Sequence, residues 1–173
     1  MDKEITLEPS FTVKSSMKGT YYILFKPVHI IIFSFLLATA IFGLSDYFFN
    51  ILGSANKKNH DFPFFGLIII LLPLFIYLLT YKAVKKEINH NPRIKENIKY
   101  IFNTEYFQEK GETFEVKHFW KNIIKIVEKK DMFLFYLNKN RAILLQKTDL
   151  KDNQYNELKQ LFNSIEIKKS LKS

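Results

Sequence analysis

The chain has 173 residues, with 26 Lys and Arg against 17 Asp and Glu and a net charge of +9, a length that allows one membrane unit and one small soluble domain. It contains no Cys, which excludes disulfides, thiolate catalysis and Cys-based zinc or iron–sulfur sites. The mean hydropathy of −0.08 averages two unlike parts, because residues 28–81 are overwhelmingly apolar and the remainder is polar and rich in Lys.

Residues 1–27 form a mixed N-terminal segment. Ile5 and Leu7 alternate with polar neighbours up to Pro9, which predicts a short strand at 4–8. A lone strand cannot bury a face, so its expected partner is an edge of a sheet formed by the C-terminal part. The pattern from Ser10 to Lys26 predicts no definite element. Tyr21, Tyr22 and Lys26 suit a membrane interface, where amphipathic side chains satisfy two environments.

Two apolar runs follow, 28–51 and 62–84, joined by a polar connector at 52–61. Each holds close to the roughly 20 residues that a helix needs to cross a hydrocarbon core about 30 Å thick. Neither Val28–Ile51 nor Phe62–Tyr81 contains a Lys or Arg. They predict a two-helix transmembrane hairpin. The first run begins too late, and lacks a small-residue cleavage pattern, to read as a removed signal peptide.

Within the first run, Ser34 and Thr39 can hydrogen-bond to their own helix. His29 and Asp46 lie near its two ends; they read either as ion or proton sites or, as favoured here, as wet groups at headgroup depth. In the connector, His60 and Asp61 are adjacent but lack further ligands, so no metal site is expected. Pro63 suits the first turn of the second helix, and Pro73 lies inside it, where neighbouring helices accommodate a kink. Ala40, Gly43 and Gly66 are the small residues best suited to helix contacts.

Charge orients the hairpin. Lys3, Lys14, Lys18 and Lys26 precede it; Lys82, Lys85, Lys86, Arg93 and Lys95 follow it; the connector holds only Lys57 and Lys58. The positive-inside rule then predicts an inner-membrane protein with both termini in the cytoplasm and the connector outside. Residues 85–98 read as a basic linker, helix-compatible up to Asn91-Pro92, where Pro disfavours helix. Lys82, Lys85, Lys86 and Arg93 are candidate contacts for anionic lipid, each worth about 1 kcal/mol near the surface, although topology anchoring accounts for the cluster equally well.

Residues 97–167 predict antiparallel β structure followed by one helix. Tyr100, Phe102, Thr104 and Tyr106 alternate as a half-buried strand, and Glu109-Lys110-Gly111 reads as the turn after it. Phe114, Val116, His118 and Trp120 share one face of the next strand. Further strands are expected at 123–127, 132–137 and 141–146, with Asn138-Lys139-Asn140 as a turn. Met132–Leu137 is apolar throughout, so that strand should be central. Leu158, Leu161, Phe162 and Ile165 then fall on one helical stripe, with Asp149 or Asp152 as the expected cap. Lys168, Lys169 and Lys172, in a basic tail at 168–173, oppose the helix dipole.

The predicted fold class is therefore α+β: a membrane protein with a two-helix transmembrane hairpin, followed by a small antiparallel β domain closed by one C-terminal helix. That outline is pleckstrin-homology-like (PH-like). Trp120 reads as a core aromatic at a strand junction with Ile123 and Ile126 beneath it, in preference to a ligand-stacking residue. Glu128 has Lys147 or Lys125 as candidate partners and reads as a strand-end surface charge.

The run Trp120-Lys121-Asn122-Ile123-Ile124-Lys125-Ile126-Val127-Glu128, then Phe133–Tyr136, then Ile143-Leu144-Leu145-Gln146-Lys147, resembles the YcxB-like family. Trp120, Ile123, Ile126, Glu128 and Lys147 match that family's pattern, and Gln146 stands where the family has Pro. The similarity covers 112–165, and the preceding hairpin agrees in order and size. The resemblance implies a bacterial membrane protein of this architecture, with those five residues in structural roles; it implies no particular activity.

An enzyme needs convergent groups. His29, His60, His90 and His118 are dispersed, and HExxH, GxSxG and a Gly-rich phosphate loop are all missing, so no catalytic residue, cofactor or metal is expected. Lys and Glu are interspersed in the basic C-terminal part without a recognition motif, so nucleic acid is not an expected partner. The expected function is a membrane-anchored interaction domain that binds the lipid surface, a protein segment or a second copy. The alternative is a small transporter or channel component assembled by oligomerisation of the two spans.

Overall fold

The computed structural model describes residues 4–53 and 64–172. The connector residues Lys57, Lys58, His60 and Asp61, and Pro63, lie outside the described residues. The elements run β1 (Ile5–Leu7), α1 (Val13–Leu24), α2 (Pro27–Gly53), α3 (Phe64–His90), β2 (Lys99–Phe102), β3 (Tyr106–Lys110), β4 (Glu115–Phe119), β5 (Lys125–Glu128), β6 (Met132–Tyr136), β7 (Ala142–Gln146), α4 (Gln154–Ser164) and β8 (Lys169–Ser170). They form two bodies. One joins the residues up to Leu24 with those from Val84 onward, and the other is Phe25–Ala83.

The second body is the helical hairpin. α2 and α3 are long and apolar enough to cross a membrane, and almost none of their apolar surface is buried within the chain. Phe42, Phe49, Leu52 and Phe65 are each more than 70% exposed, the all-round apolarity expected of a lipid-facing helix. The two helices meet where side chains are smallest. A Cβ added at Gly66 would lie 3.3 Å from the Ala40 carbonyl oxygen, so the pair admits close backbone approach. Gly43 faces open space and is not part of this contact. Thr39 donates to the Leu36 carbonyl at 2.8 Å, satisfying its hydroxyl within its own helix. α3 does not end at residue 84. It continues to His90 and takes in the first part of the basic linker, stopping where Pro92 forbids further helix and Asn91 caps a 3₁₀ turn at Pro92–Lys95.

The first body is built on two four-stranded sheets, ordered β1-β2-β3-β4 and β7-β6-β5-β8. β1 pairs antiparallel with β2, Ile5 opposite Phe102 and Leu7 opposite Tyr100, and both apolar side chains are buried. The N-terminal segment therefore belongs to the C-terminal sheet. Phe102, Phe107, Trp120, Phe133, Phe135 and Phe162 bring both sheets and α4 into one aromatic-rich core. Phe102 and Phe135 lie 5.7 Å apart in a tilted contact, and Phe135 meets Phe162 at 5.6 Å edge to face, arrangements that add stabilisation beyond area burial. Every residue of β6 is buried. One face of this strand feeds the main core; the other, Met132, Leu134 and Tyr136, is covered by Tyr22 and Ile23 of α1.

Three local readings are corrected, and one segment without a predicted element is assigned. The alternation at 100–106 is two strands, because the Asn103 side chain accepts from the N–H groups of Glu105 at 3.0 Å and Tyr106 at 2.9 Å and reverses the chain there. The segment after Ser10 is a helix. It is rich in small polar residues, and Ser15 and Gly19 are buried; Gly19 lies against Leu144 so closely that a Cβ would displace that side chain. α4 is not capped by Asp149 or Asp152. Its N-cap is Asn153, and Asp149 instead accepts from Ser10, from its N–H at 2.8 Å and its hydroxyl at 2.6 Å. The basic tail contains a strand, β8, which pairs parallel with β5. Lys169 donates to three carbonyls at the end of α4, those of Phe162, Asn163 and Ile165, a direct form of the expected opposition to the dipole.

Replacing Ile5 and Leu7 by Ser should therefore destabilise the folded body by about 2–4 kcal/mol for each side chain, the usual loss at a buried aliphatic site. Chemical denaturation followed by Trp120 emission measures this. The exposed Thr6→Ser control should shift the midpoint little, and an unchanged midpoint in the double variant would remove β1 from the core.

Candidate functional site

The most concentrated polar cluster forms where β5, β7, α4 and the C-terminal segment meet. Glu128 ends β5, and its side chain is fully buried while that of Lys147 is 21% exposed. Lys147 follows β7 directly, and its N–H donates to the Asp131 carbonyl at 2.9 Å, which fixes its position beside the end of β5. Its ammonium is ion-paired with Glu128 Oε1 and lies over the rings of Phe133 and Tyr155, at 5.3 and 5.0 Å. The Tyr155 hydroxyl donates to the same oxygen at 2.8 Å. Glu128 Oε2 accepts from the Lys172 N–H at 2.8 Å.

Burial pushes the Glu128 carboxyl upward, but these donors and the Lys147 charge hold it below the ordinary carboxylate range. The Tyr155 hydroxyl is pushed up, first by its bond to Glu128 and then by burial. Glu128 is therefore a buried, neutralised anion and not the surface charge expected. Each of its oxygens is already engaged, so the cluster ties four chain segments together and presents no open position to a substrate.

A second cluster holds α1 to the β5–β6 turn. Asp131 is ion-paired with Lys18 and accepts from the Tyr22 hydroxyl at 3.1 Å. Burial raises the Asp131 carboxyl, and the bonds from Lys18 and Tyr22 with the Lys18 charge bring it below its usual value. In the other sheet, His118 Nε2 and Glu109 Oε1 are 2.7 Å apart, beside Tyr100, whose hydroxyl is pushed well up by burial and by the Glu109 charge. Among the described residues, no group of three or more His, Asp or Glu converges to hold a metal ion. A shallow cleft of ≈ 280 Å³ lies between β1 and α4, lined by Ile5, Thr104, Glu157, Gln160, Leu161 and Ser164.

Trp120 is 6% exposed, and its Nε1–H donates to the Asn103 carbonyl at 2.9 Å. It thereby holds the β2–β3 turn against the core. Ile123 and Ile126 are buried in the same core. Lys82, Lys85 and Lys86 are exposed on the last turns of α3. Arg93 lies in the 3₁₀ turn Pro92–Lys95, its guanidinium 5.1 Å from the centre of the Phe114 ring. Sequence reasoning offered Lys147 or Lys125 to Glu128, of which the structure pairs Lys147, but missed Tyr155, Lys18, Tyr22 and Asp131. Their partners are remote in sequence, and only the register of the turns brings them close.

The chain is thus an α+β protein with two membrane-length apolar helices and a two-sheet body closed by a helix. Residues 102–162 match the family model described as YcxB-like protein, so the chain carries a YcxB-like domain, running from the end of β2 into α4. No curated protein and no solved structure matches it.

Removing the cation from the first cluster should be costly. Lys147→Met leaves Glu128 buried without its counter-charge and should destabilise the body by about 3 kcal/mol, with part of the loss recovered in Glu128→Gln/Lys147→Met. Because the Glu128 and Asp131 carboxyls are held below their ordinary values, their contribution is present at neutral pH. It is lost as pH falls below the ordinary carboxylate range toward the folded-state values. Acid titration of stability should therefore be shallower in Lys147→Met than in the parent; identical profiles would contradict the assignment.

Proposed function

We propose that the chain is an integral membrane protein that crosses the inner membrane twice and displays its two-sheet body in the cytoplasm as a PH-like interaction domain, without enzymatic activity. One observation carries this reading. The folded body is assembled from both flanks of the hairpin, β1 and α1 from before it and β2 to β8 from after it. A bilayer cannot divide such a body, so the number of crossings between its two parts is even, and two candidate spans meet that requirement. The cytoplasmic side follows from the Lys and Arg that flank the hairpin on both sides.

The PH-like description is supported by two sheets sharing a core with a C-terminal helix. The expected partners are the lipids of the membrane and, at the displayed body, the lipid surface, a protein segment or a second copy; nucleic acid is not among them. A pore assembled from α2 and α3 would need polar lining, whereas their exposed surfaces are dominated by Phe, Leu and Ile.

The absence of native Cys permits single-cysteine topology mapping. Lys58→Cys in the connector should react with an impermeant maleimide on intact cells. Lys139→Cys in the β6–β7 turn should react only after permeabilisation, and the chain should resist alkaline extraction from membranes. Extraction, or labelling of both positions from one side, would refute the reading.

A further inference from the structure

Outside α2 and α3, only three large apolar side chains of the described residues are prominently exposed: Leu24, Phe119 at 41% and Ile124 at 49%. Single exposed apolar residues need no explanation. Phe119 and Ile124, however, flank one short connection, the 3₁₀ turn Trp120–Asn122 between β4 and β5. They lie at the end of the second sheet where the β6–β7 turn also sits: the Ile124 N–H donates to the Tyr136 carbonyl at 2.8 Å, and the Leu137 N–H to that of Arg141 at 3.0 Å.

The two chain segments that form this end carry charge of one sign. Val116–Val127 and Met132–Gln146 contain Lys117, Lys121, Lys125, Lys139 and Arg141 and no Asp or Glu. Lys117, Lys121 and Lys125 lie over the rings of Tyr106, Phe119 and Tyr136, at 4.8, 5.7 and 4.5 Å. None of the five is ion-paired among the described residues. Acidic residues also come near in the fold: Glu109 Oε1 lies 2.7 Å from Nε2 of His118, the neighbour of Phe119 in β4, and the Glu105 backbone carbonyl accepts from the Trp120 N–H at 3.1 Å. Two lysines elsewhere in the body are ion-paired, Lys18 with Asp131 and Lys147 with Glu128. The five at this end stand without an ion pair beside two outward apolar side chains.

We propose that this end of the body docks on an anionic bilayer surface. Phe119 and Ile124 enter the interfacial layer, and Lys121, Lys125, Lys139 and Arg141 meet the headgroup phosphates. Apolar groups ringed by Lys and Arg match a surface that is apolar beneath and negative above. The inference rests on the anchoring proposed above, which supplies the bilayer, and it names a site within the displayed domain.

The test uses the full chain reconstituted in vesicles, with an environment-sensitive fluorophore on Asn122→Cys at the proposed site or on Asn156→Cys on the exposed side of α4. Vesicles are phosphatidylcholine alone or phosphatidylcholine with phosphatidylglycerol, each with spin-labelled lipid as quencher. Emission of the single Trp, Trp120, reports folding of every variant. The label at 122 should be blue-shifted and quenched in the anionic vesicles, less so as salt rises, while the label at 156 is not quenched. Lys121→Glu and Lys139→Glu should each weaken docking by about fivefold or more, the loss expected for one basic contact near an anionic surface. Phe119→Ser/Ile124→Ser should abolish the quenching.

Equal quenching at 122 and 156 in anionic vesicles overturns the inference, because it gives this end no preference for lipid. Quenching at 122 that is independent of both anionic lipid and salt also overturns it. Alkaline extraction of the same vesicles separates the two readings: a chain that resists extraction but is unquenched at 122 loses only the docking site, whereas a chain that is extracted loses the anchoring and the docking site with it.

Discussion

The pairing of Ile5–Leu7 with Tyr100–Phe102 governs how this chain is arranged. Those three residues form an edge strand of the first sheet, yet the entire hairpin separates them from their partner. The strand is not held by its ladder alone. Gln154 of α4 donates to the Thr6 carbonyl at 3.0 Å, Gln146 to the Ser10 carbonyl at 2.7 Å, and Ser10 donates twice to Asp149. Each such bond contributes about 1 kcal/mol net, and burial of Ile5 and Leu7 adds more. Closing a chain loop grows in cost only logarithmically with its length, so a long insertion between paired strands is thermodynamically tolerable. A helical hairpin suits that place, because its ends return to the same neighbourhood.

The opposite terminus is fastened by different means. β8 adds to β5, Lys169 closes the end of α4, and the Lys172 N–H reaches the buried carboxylate of Glu128. Residues 97–167 are therefore not a self-sufficient unit. They lack β1, which covers Tyr100 and Phe102, and α1, which covers one face of β6. Fewer than about 80 residues rarely build a stable single core unaided, and here the segments on either side supply the missing layers. The matched segment 102–162 contains β3 to β7 and most of α4, but neither of these closing pieces.

The sequence was most readable where one period ran without competition. The hairpin, the buried run of β6, the β6–β7 turn and the stripe of α4 all follow from composition and spacing alone. It was misleading at Asn103, because Tyr100, Phe102, Thr104 and Tyr106 keep a strand's alternation through a turn made by one side chain. It was silent over α1, whose packing face is built from Ser15, Met17 and Gly19 and carries little hydrophobic signal. Glu128 shows a third limit. Its pairing with Lys147 could be anticipated, but its burial depends on Tyr155 and the Lys172 backbone, which close over it only in the folded body.

These polar groups differ from the exposed basic end of the domain in a way that bears on function. Glu128, Asp131 and Asp149 each receive their donors from segments remote in sequence, and among the described residues no buried side-chain nitrogen or oxygen lacks a partner. Such closure serves assembly: each anion is placed where two parts of the chain must meet. The lysines and arginine around Phe119 and Ile124 make no comparable closure. Three rest on aromatic rings, which position an ammonium without neutralising it. Charge left uncompensated on a folded body adds self-repulsion. An external anionic surface would relieve that repulsion, and the bilayer proposed for α2 and α3 would supply one.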